Sequence, residues 1–324
     1  MQNTSDLIVI LGTGGTIAGT AVDASDNVGY SAAQLGVAQL VAAIPMLAAR
    51  RLETEQVAQL DSKDMDFATW QRLAERVATH LARPEVAGIV ITHGTDTLEE
   101  TAYFLQRVLA PSKPVVITAA MRPATALLSD GPQNLLDATV VALQSFVGGV
   151  LVVLGGAIID AQQVRKVHSY RLNAFAPAEG GHVGVVEEGQ VRWLSRPLLP
   201  LLPLIPLMPL MPAFGLARIA RSVDAWPRVE ILFNHVGCDG AVVRALLAQG
   251  VDGLVVAGTG NGSLSSGLEA ALRQAQAQGV MILRSTRCDA GPVSASETAL
   301  PSAGALSPVK ARVEMLLTLL GSSD

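Results

Sequence analysis

Four short apolar runs rich in branched side chains, at residues 7–11, 86–92, 114–119 and 150–154, punctuate the first half of the chain. Continuous rather than alternating apolarity predicts strands buried on both faces, as in parallel sheets. The stretches between them, 31–51, 66–81, 96–109 and 134–145, place apolar residues three and four apart and predict helices. Strands alternating with helices imply a doubly wound α/β sheet. A second, smaller alternation comes later, with strands predicted at 228–233, 253–257 and 280–285 and helices at 240–249 and 266–278, which reads as its own α/β domain. The expected organisation is an N-terminal domain over 1–196, a Pro/Leu-rich linker over 197–214 and a C-terminal α/β domain over 215–324.

The stretch RPLLPLLPLIPLMPLMPAF at 196–214 interrupts the pattern. Its apolarity suits a membrane, but a proline every two or three residues removes N–H donors and adds ring clashes, which excludes a spanning helix. It reads as an extended, polyproline-like linker whose leucines and methionines lie on a domain or subunit surface, or as a docking site for a partner. With 324 residues the chain is long enough for two cores.

Composition narrows the function classes. Half the residues are hydrophobic and 16% are charged, which excludes a disordered chain. The net charge of −5 is spread without any basic run, so no nucleic-acid or membrane partner is expected and a small molecule is. Cys238 and Cys288 lack metal-ligand spacing and are expected as buried, reduced thiols, or as a pair if the fold brings them together. The polar hexapeptide MQNTSD leads straight into the first strand, without a secretory pattern, and is read as cytoplasmic; a truncated chain would look the same.

The first strand runs into Gly12-Thr13-Gly14-Gly15-Thr16-Ile17-Ala18-Gly19. A dinucleotide loop would need G-x-G-x-x-G, an immediate helix and an acidic residue about 20 positions on. Here a polar, glycine-bearing stretch at 19–29 comes next, so an oxidoreductase reading rests on the glycines alone. The glycines equally let the backbone turn and present the Thr16 hydroxyl at the carboxyl end of the strand, where ligands bind in open α/β sheets; plain turn chemistry remains the alternative. The segment Ile91-Thr92-His93-Gly94-Thr95-Asp96-Thr97 again joins a strand end to a helix start. Thr95 and Asp96 there read as a helix cap, as a hydroxyl and carboxylate that hold an ammonium beside free N–H groups, or as both. His80, His93, His168, His182 and His235 show neither paired metal spacing nor a Ser-His-Asp arrangement, so no metal site is expected, and His93 is read as support for the loop around Thr95.

Taken jointly, TGGTIAG at 13–19 and THGTDT at 92–97 resemble the two threonine signatures of the bacterial-type L-asparaginase family, closer to its type II branch. The resemblance continues through DSKDM at 61–65, MRP at 121–123, SDGP at 129–132, the Lys166 region and GTGNG at 258–262, leaving out only the proline-leucine stretch. It implies a flavodoxin-like N-terminal domain with a left-handed crossover and a smaller C-terminal α/β domain. It also implies a homotetramer built from intimate dimers, each active site completed by a neighbouring subunit, and hydrolysis of L-asparagine to L-aspartate and ammonia without a cofactor.

Carried over position by position, the resemblance makes Thr16 the nucleophile and Tyr30, on a flexible loop, the group that helps activate it. Thr95, Asp96 and Lys166 form a second cluster. Ser62 binds the substrate α-carboxylate and Asp96 the α-ammonium, and Glu297 is the acidic residue supplied across the dimer, aligned with a one-residue gap. Lys63 stands where glutamine or glutamate faces the ammonium; it would repel that charge unless it turns to solvent, to Glu297 or to a substrate carboxylate. Ser263 stands where relatives carry asparagine or serine, a position that affects how L-glutamine competes. A threonine hydroxyl is a poor nucleophile at neutral pH, so proton acceptance by Tyr30 or through Thr95 and Lys166 must accompany attack. The rivals are the same chemistry on glutamine or on an amide lacking a free ammonium, and a non-catalytic amino-acid-binding module.

Overall fold

The computed structural model describes residues 6–195, 212–295 and 299–321, and the chain divides into two compact units, Met1–Leu216 and Ala217–Asp324. The first contains β1 (Leu7–Gly14), α1 (Val37–Ala42), β2 (Leu52–Leu60), α2 (Phe67–Leu81), β3 (Val86–Thr92), α3 (Leu98–Leu109), β4 (Pro114–Thr118), α4 (Gly131–Ala142), β5 (Gly149–Leu154), β6 (Ala157–Asp160), β7 (Val164–Lys166), β8 (Phe175–Pro177), β9 (Gly184–Glu187) and β10 (Gln190–Trp193). The sheet order is β2-β1-β3-β4-β5-β6-β9-β10. The five strands from β2 to β5 run parallel and β6, β9 and β10 extend the sheet antiparallel. An order of 2-1-3-4-5 is the flavodoxin-like arrangement, and its switch point falls between β1 and β3.

Every residue of β1 and β4 is buried, as continuous apolar runs require. On one face Ile8, Ile10, Val90, Val116 and Val153 pack with Leu40 of α1 and with Leu135 and Val141 of α4. The helices α2 and α3 pack on each other and on the sheet, with the Trp70 and Phe104 rings stacked at 4.7 Å and the Trp70 indole donating to Thr101 Oγ1 at 2.9 Å. The helix expected over 31–51 shrinks to α1 and a 3-10 turn, Pro45–Leu47. Gly36 begins α1 and Pro45, lacking an N–H, stops it. The chain then enters β2, a strand the apolar pattern hid: its sequence LETEQVAQL is half polar because it forms the sheet edge.

The second unit carries β11 (Val229–Phe233), α5 (Ala241–Ala248), β12 (Gly253–Gly258), α6 (Ser266–Ala277), β13 (Met281–Thr286) and α7 (Pro308–Leu319). Its parallel sheet has the order β11-β12-β13. Leu254, Val256 and Ile282 pack with Val243 of α5 and with Leu268 and Leu272 of α6, while α7 contacts all three strands.

Most of the proline-leucine linker, residues 197–211, lies outside the described residues. Just beyond it the chain is tied to α3: Arg107 donates to Pro212 O at 3.0 Å, the Phe214 N–H donates to Arg107 O at 2.8 Å, and the guanidinium sits 4.6 Å from the Phe214 ring centre. Among the described residues no helix is long and apolar enough to cross a membrane. Both cysteines are free, but Cys288 is exposed and Cys238 only half-buried against the edge of the second unit's core, rather than buried as expected, because each lies in a loop outside the sheet.

Candidate active site

The site is built where the loops leaving β1 and β3 diverge. Thr13 Oγ1 donates to Thr92 O at 3.0 Å and ties the two strand ends together. Beyond it Gly15 adopts φ +78°, a conformation that disfavours any side chain, and a Cβ there would run into the backbone of Gly94. A Cβ on Gly94 would in turn strike the Ser62 hydroxyl. Two glycines thus let the loops from β1 and β3 meet backbone to backbone, with the Ser62 side chain of the β2 loop set directly against Gly94.

Thr16 comes directly after Gly15 in a 3-10 turn and is 7% exposed. Its Oγ1 lies 2.6 Å from Tyr30 Oη, a short hydroxyl pair in which either oxygen can donate. Tyr30 is held there by its loop: Thr20 and Ser31 exchange two backbone hydrogen bonds of 2.9 Å at the loop base. The loop also leans on residues 124–127, with Ala124 N donating to Gly19 O at 2.9 Å and Leu127 N to Ala24 O at 3.0 Å.

The β3 loop carries Thr95, 6% exposed, and Asp96. Lys166, at the end of β7, donates to Thr95 Oγ1 at 2.9 Å and pairs with Asp96 Oδ1 at 2.6 Å. Because the ammonium donates to Thr95 Oγ1, the Thr95 hydrogen points away from Lys166. Ser62, fully buried in the turn after β2, accepts the Asp96 N–H at 3.1 Å through Oγ and the Thr97 hydroxyl at 2.7 Å through its carbonyl. An acceptor filled by that N–H leaves the Ser62 hydroxyl hydrogen available to an anion.

Lys63 does not reach into this network. Its side chain is 65% exposed and its Nζ pairs with Asp61 Oδ2 at 3.0 Å, which holds the ammonium above the ordinary lysine range, with Asp64 and Asp96 adding weaker attraction. Glu297 lies outside the described residues. Ser263 belongs to the second unit, in the loop after β12, where it exchanges backbone hydrogen bonds of 2.9 and 2.7 Å with Thr259 and its carbonyl accepts the Asn234 amide at 3.2 Å. Thr97 and Asp61 were not singled out in the sequence, although each repeats a readable signal, a polar residue at a helix or turn start. Among the described residues no group of three or more His, Cys, Asp or Glu is placed to hold a metal ion.

His93 supports the β3 loop from below. It is fully buried, its N–H donates to Thr118 O at 2.9 Å, and Nδ1 bonds the Gly94 carbonyl at 2.7 Å. A carbonyl only accepts, so Nδ1 carries the hydrogen and Nε2, which has no hydrogen-bond partner among the described residues, carries the bare lone pair. Burial pushes the ring down to about 4, against a smaller opposing effect of the Gly94 hydrogen bond. The unfolded chain binds this proton near pH 6.5, so it takes up a proton that the fold refuses until about pH 4. Stability from this group is complete above pH 6.5 and falls by roughly 3 kcal/mol as pH drops through that window. Denaturant unfolding at pH 7.5 and 5.0 is expected to show the loss, and a His93→Asn variant to show a shallower slope between the two.

Residues 7–199 match the family model "Asparaginase, N-terminal", and residues 228–324 match "Glutaminase/Asparaginase C-terminal domain". The Glutaminase-asparaginase of Pseudomonas fluorescens biotype A is 36% identical over 98% of this chain and 87% of its own length. L-asparaginase 2 of Escherichia coli (strain K12) is 34% identical over 98% of this chain and 90% of its own. A crystal structure described as "Probable Cytoplasmic L-asparaginase from Campylobacter jejuni" has a TM-score of 0.87 at 34% identity, covering 99% of this chain and 97% of that one.

Proposed function

Because the chain belongs to the bacterial-type L-asparaginase family, we propose that it hydrolyses L-asparagine to L-aspartate and ammonia through an acyl ester on Thr16. The observation that carries this reading is the 2.6 Å contact of Thr16 Oγ1 with Tyr30, set across the Gly15–Gly94 junction from the Thr95–Lys166–Asp96 network.

In the proposed reaction Thr16 Oγ1 attacks the side-chain amide carbon and its proton passes to the Tyr30 oxygen as Tyr30 gives up its own toward the leaving nitrogen. The C–N bond breaks, ammonia departs and the Thr16 ester remains. Water then adds to the ester carbon beside Thr95; the ester C–O bond breaks, one proton of the water returns to Thr16, and the other leaves to solvent as the new carboxylate is released. Lys166 fixes Thr95 and supplies positive charge near the developing oxyanion. Ser62, with its free hydroxyl hydrogen, takes the α-carboxylate, and Asp96 takes the α-ammonium with the oxygen that Lys166 leaves open. The pairing of Lys63 with Asp61 favours a free amino acid over an amide without its ammonium, because the lysine charge is compensated at its own loop.

The same reading gives Ser263 and Glu297 substrate-binding roles, Glu297 supplied across the dimer, in a homotetramer of intimate dimers. It assigns the N-terminal domain to 1–196 and the C-terminal domain to 215–324. The free, exposed thiol of Cys288 and the cytoplasmic description of the Campylobacter jejuni relative favour a reducing cytoplasm.

Ammonia release from L-asparagine, L-glutamine and N-acetyl-L-asparagine tests the assignment. L-asparagine is expected to be turned over with the highest kcat/KM, and N-acetylation, which removes the ammonium that Asp96 holds, to lower it by about 10²-fold or more. Preference for the N-acetyl compound would replace this reading with the altered-amide one, and binding of L-asparagine without any ammonia would leave an amino-acid-binding module.

A further inference from the structure

Asp130 stands at the N-cap position of α4, yet its side chain makes no capping bond to that helix. An aspartate at such a position ordinarily accepts one of the first free N–H groups of its own helix. Asp130 turns the other way. Its Oδ2 accepts the Met121 N–H and its Oδ1 the Arg122 N–H, both at 3.0 Å, so the carboxylate holds the turn that follows β4. Asn134, one turn along α4, donates to Asp130 Oδ2 at 3.0 Å and to Ala119 O at 2.9 Å, and accepts the Gly155 N–H at 2.9 Å. The carboxylate is thereby fixed against the ends of β4 and β5. Arg122 donates to Leu128 O at 3.0 Å and closes the 121–130 segment on itself.

This segment is the outside support of the loop that carries Tyr30. Among the described residues, every hydrogen bond that residues 21–29 make beyond their own loop goes to Thr125 or Leu127. The Thr125 hydroxyl accepts the Ala21 N–H at 2.8 Å and donates to Ala21 O at 3.3 Å, and the Leu127 N–H donates to Ala24 O at 3.0 Å. At the loop base the Ala124 N–H donates to Gly19 O at 2.9 Å. Gly131, next to Asp130, packs on Ile17 so closely that a Cβ there would stand 3.0 Å from Ile17 Cγ1, and Ile17 follows Thr16 in the chain. Two consecutive residues, Asp130 and Gly131, thus bear on both halves of the 2.6 Å hydroxyl pair, on Tyr30 through 121–127 and on Thr16 through Ile17.

Resting on the reading of Thr16 and Tyr30 as the reacting pair, we propose that Asp130 is a positioning residue for the reaction. It bonds to neither hydroxyl, but by fixing the 121–127 segment it holds the 20–31 loop in the arrangement that sets Tyr30 Oη on Thr16 Oγ1.

Two variants of the full chain test this. A carboxylate accepts two backbone N–H groups at once, whereas an amide has a single oxygen and turns a donor toward the second. Asp130→Asn therefore breaks the turn at nearly constant size. Asp130→Ser is too short to span the turn but is a good helix cap, so it releases 121–127 while favouring the start of α4. In each, amide exchange at 20–31 is expected to be about 10-fold faster, with exchange in α7 of the second unit unchanged. The kcat for L-asparagine is expected to fall by about 10-fold with KM within about twofold, because Ser62 and Asp96 lie on other loops. In a Tyr30→Phe background the further fall in kcat is expected to vanish, since the hydroxyl that Asp130 positions is gone, whereas a general loss of structure would act equally in both backgrounds. Unchanged exchange at 20–31 in the folded variants would overturn the hold on the loop, and an equal fall in kcat in both backgrounds would overturn the route through Tyr30. If Tyr30→Phe alone kept the wild-type rate, the assigned chemistry would fail instead, and exchange at 20–31 would still decide whether Asp130 holds the loop.

Discussion

Replacing Thr16 by alanine is expected to lower kcat for L-asparagine by at least about 10⁴-fold, because removal of a covalent nucleophile leaves only binding and oxyanion stabilisation to accelerate the reaction. The fold is expected to survive. The substitution removes one methyl and one hydroxyl from a buried turn and leaves Tyr30 Oη without its 2.6 Å partner, at a cost of about 1–2 kcal/mol. Thr16→Ser restores a hydroxyl on the same backbone and is expected to recover most of the rate. Steady-state ammonia release across the three proteins, with unfolding curves alongside, separates lost chemistry from lost structure. An alanine variant that kept a tenth of the wild-type rate would remove Thr16 from the mechanism.

The second large effect is expected at Lys166. Lys166→Met keeps the length of the side chain but removes the charge that reaches Thr95 Oγ1 at 2.9 Å and Asp96 Oδ1 at 2.6 Å. Asp96 is 52% exposed, so water replaces much of what the carboxylate loses, and the change in stability is expected to stay within about 1 kcal/mol. Positioned charge at a developing oxyanion is worth far more, and kcat is expected to fall by about 10²–10³-fold. KM is expected to hold or fall, because Asp96, released from Lys166, is freer to take the substrate ammonium. A variant with raised KM and unchanged kcat would make Lys166 a binding residue instead.

The two threonine-bearing loops were legible in the sequence because β1 and β3 are buried on both faces and end in glycine-threonine motifs that no helix absorbs. Their junction was not, since only folding shows that Gly15 and Gly94 are each other's neighbours. Nor was β2 visible. Its Glu53 and Glu55 look like surface charge in the sequence, yet they pair across to Arg83 at 2.9 Å and Arg76 at 2.6 Å, which stabilises a polar edge strand that carries no apolar signature. Without β2 the sequence could not place Ser62 against the Asp96 N–H. Lys63 turns to solvent, one of the orientations its sequence allows, and takes Asp61, two residues away, as its ion-pair partner. The helix expected over 31–51 failed because its apolar spacing continues past Pro45, while the backbone does not.

The most direct test of the threonine mechanism is to quench turnover of L-asparagine in acid and map the mass of each peptide. An aspartyl ester is expected on the peptide containing Thr16, absent from Thr16→Ala and more abundant in Lys166→Met, where hydrolysis of the ester is slowed. An ester on the peptide containing Thr95, with none on Thr16, would contradict it.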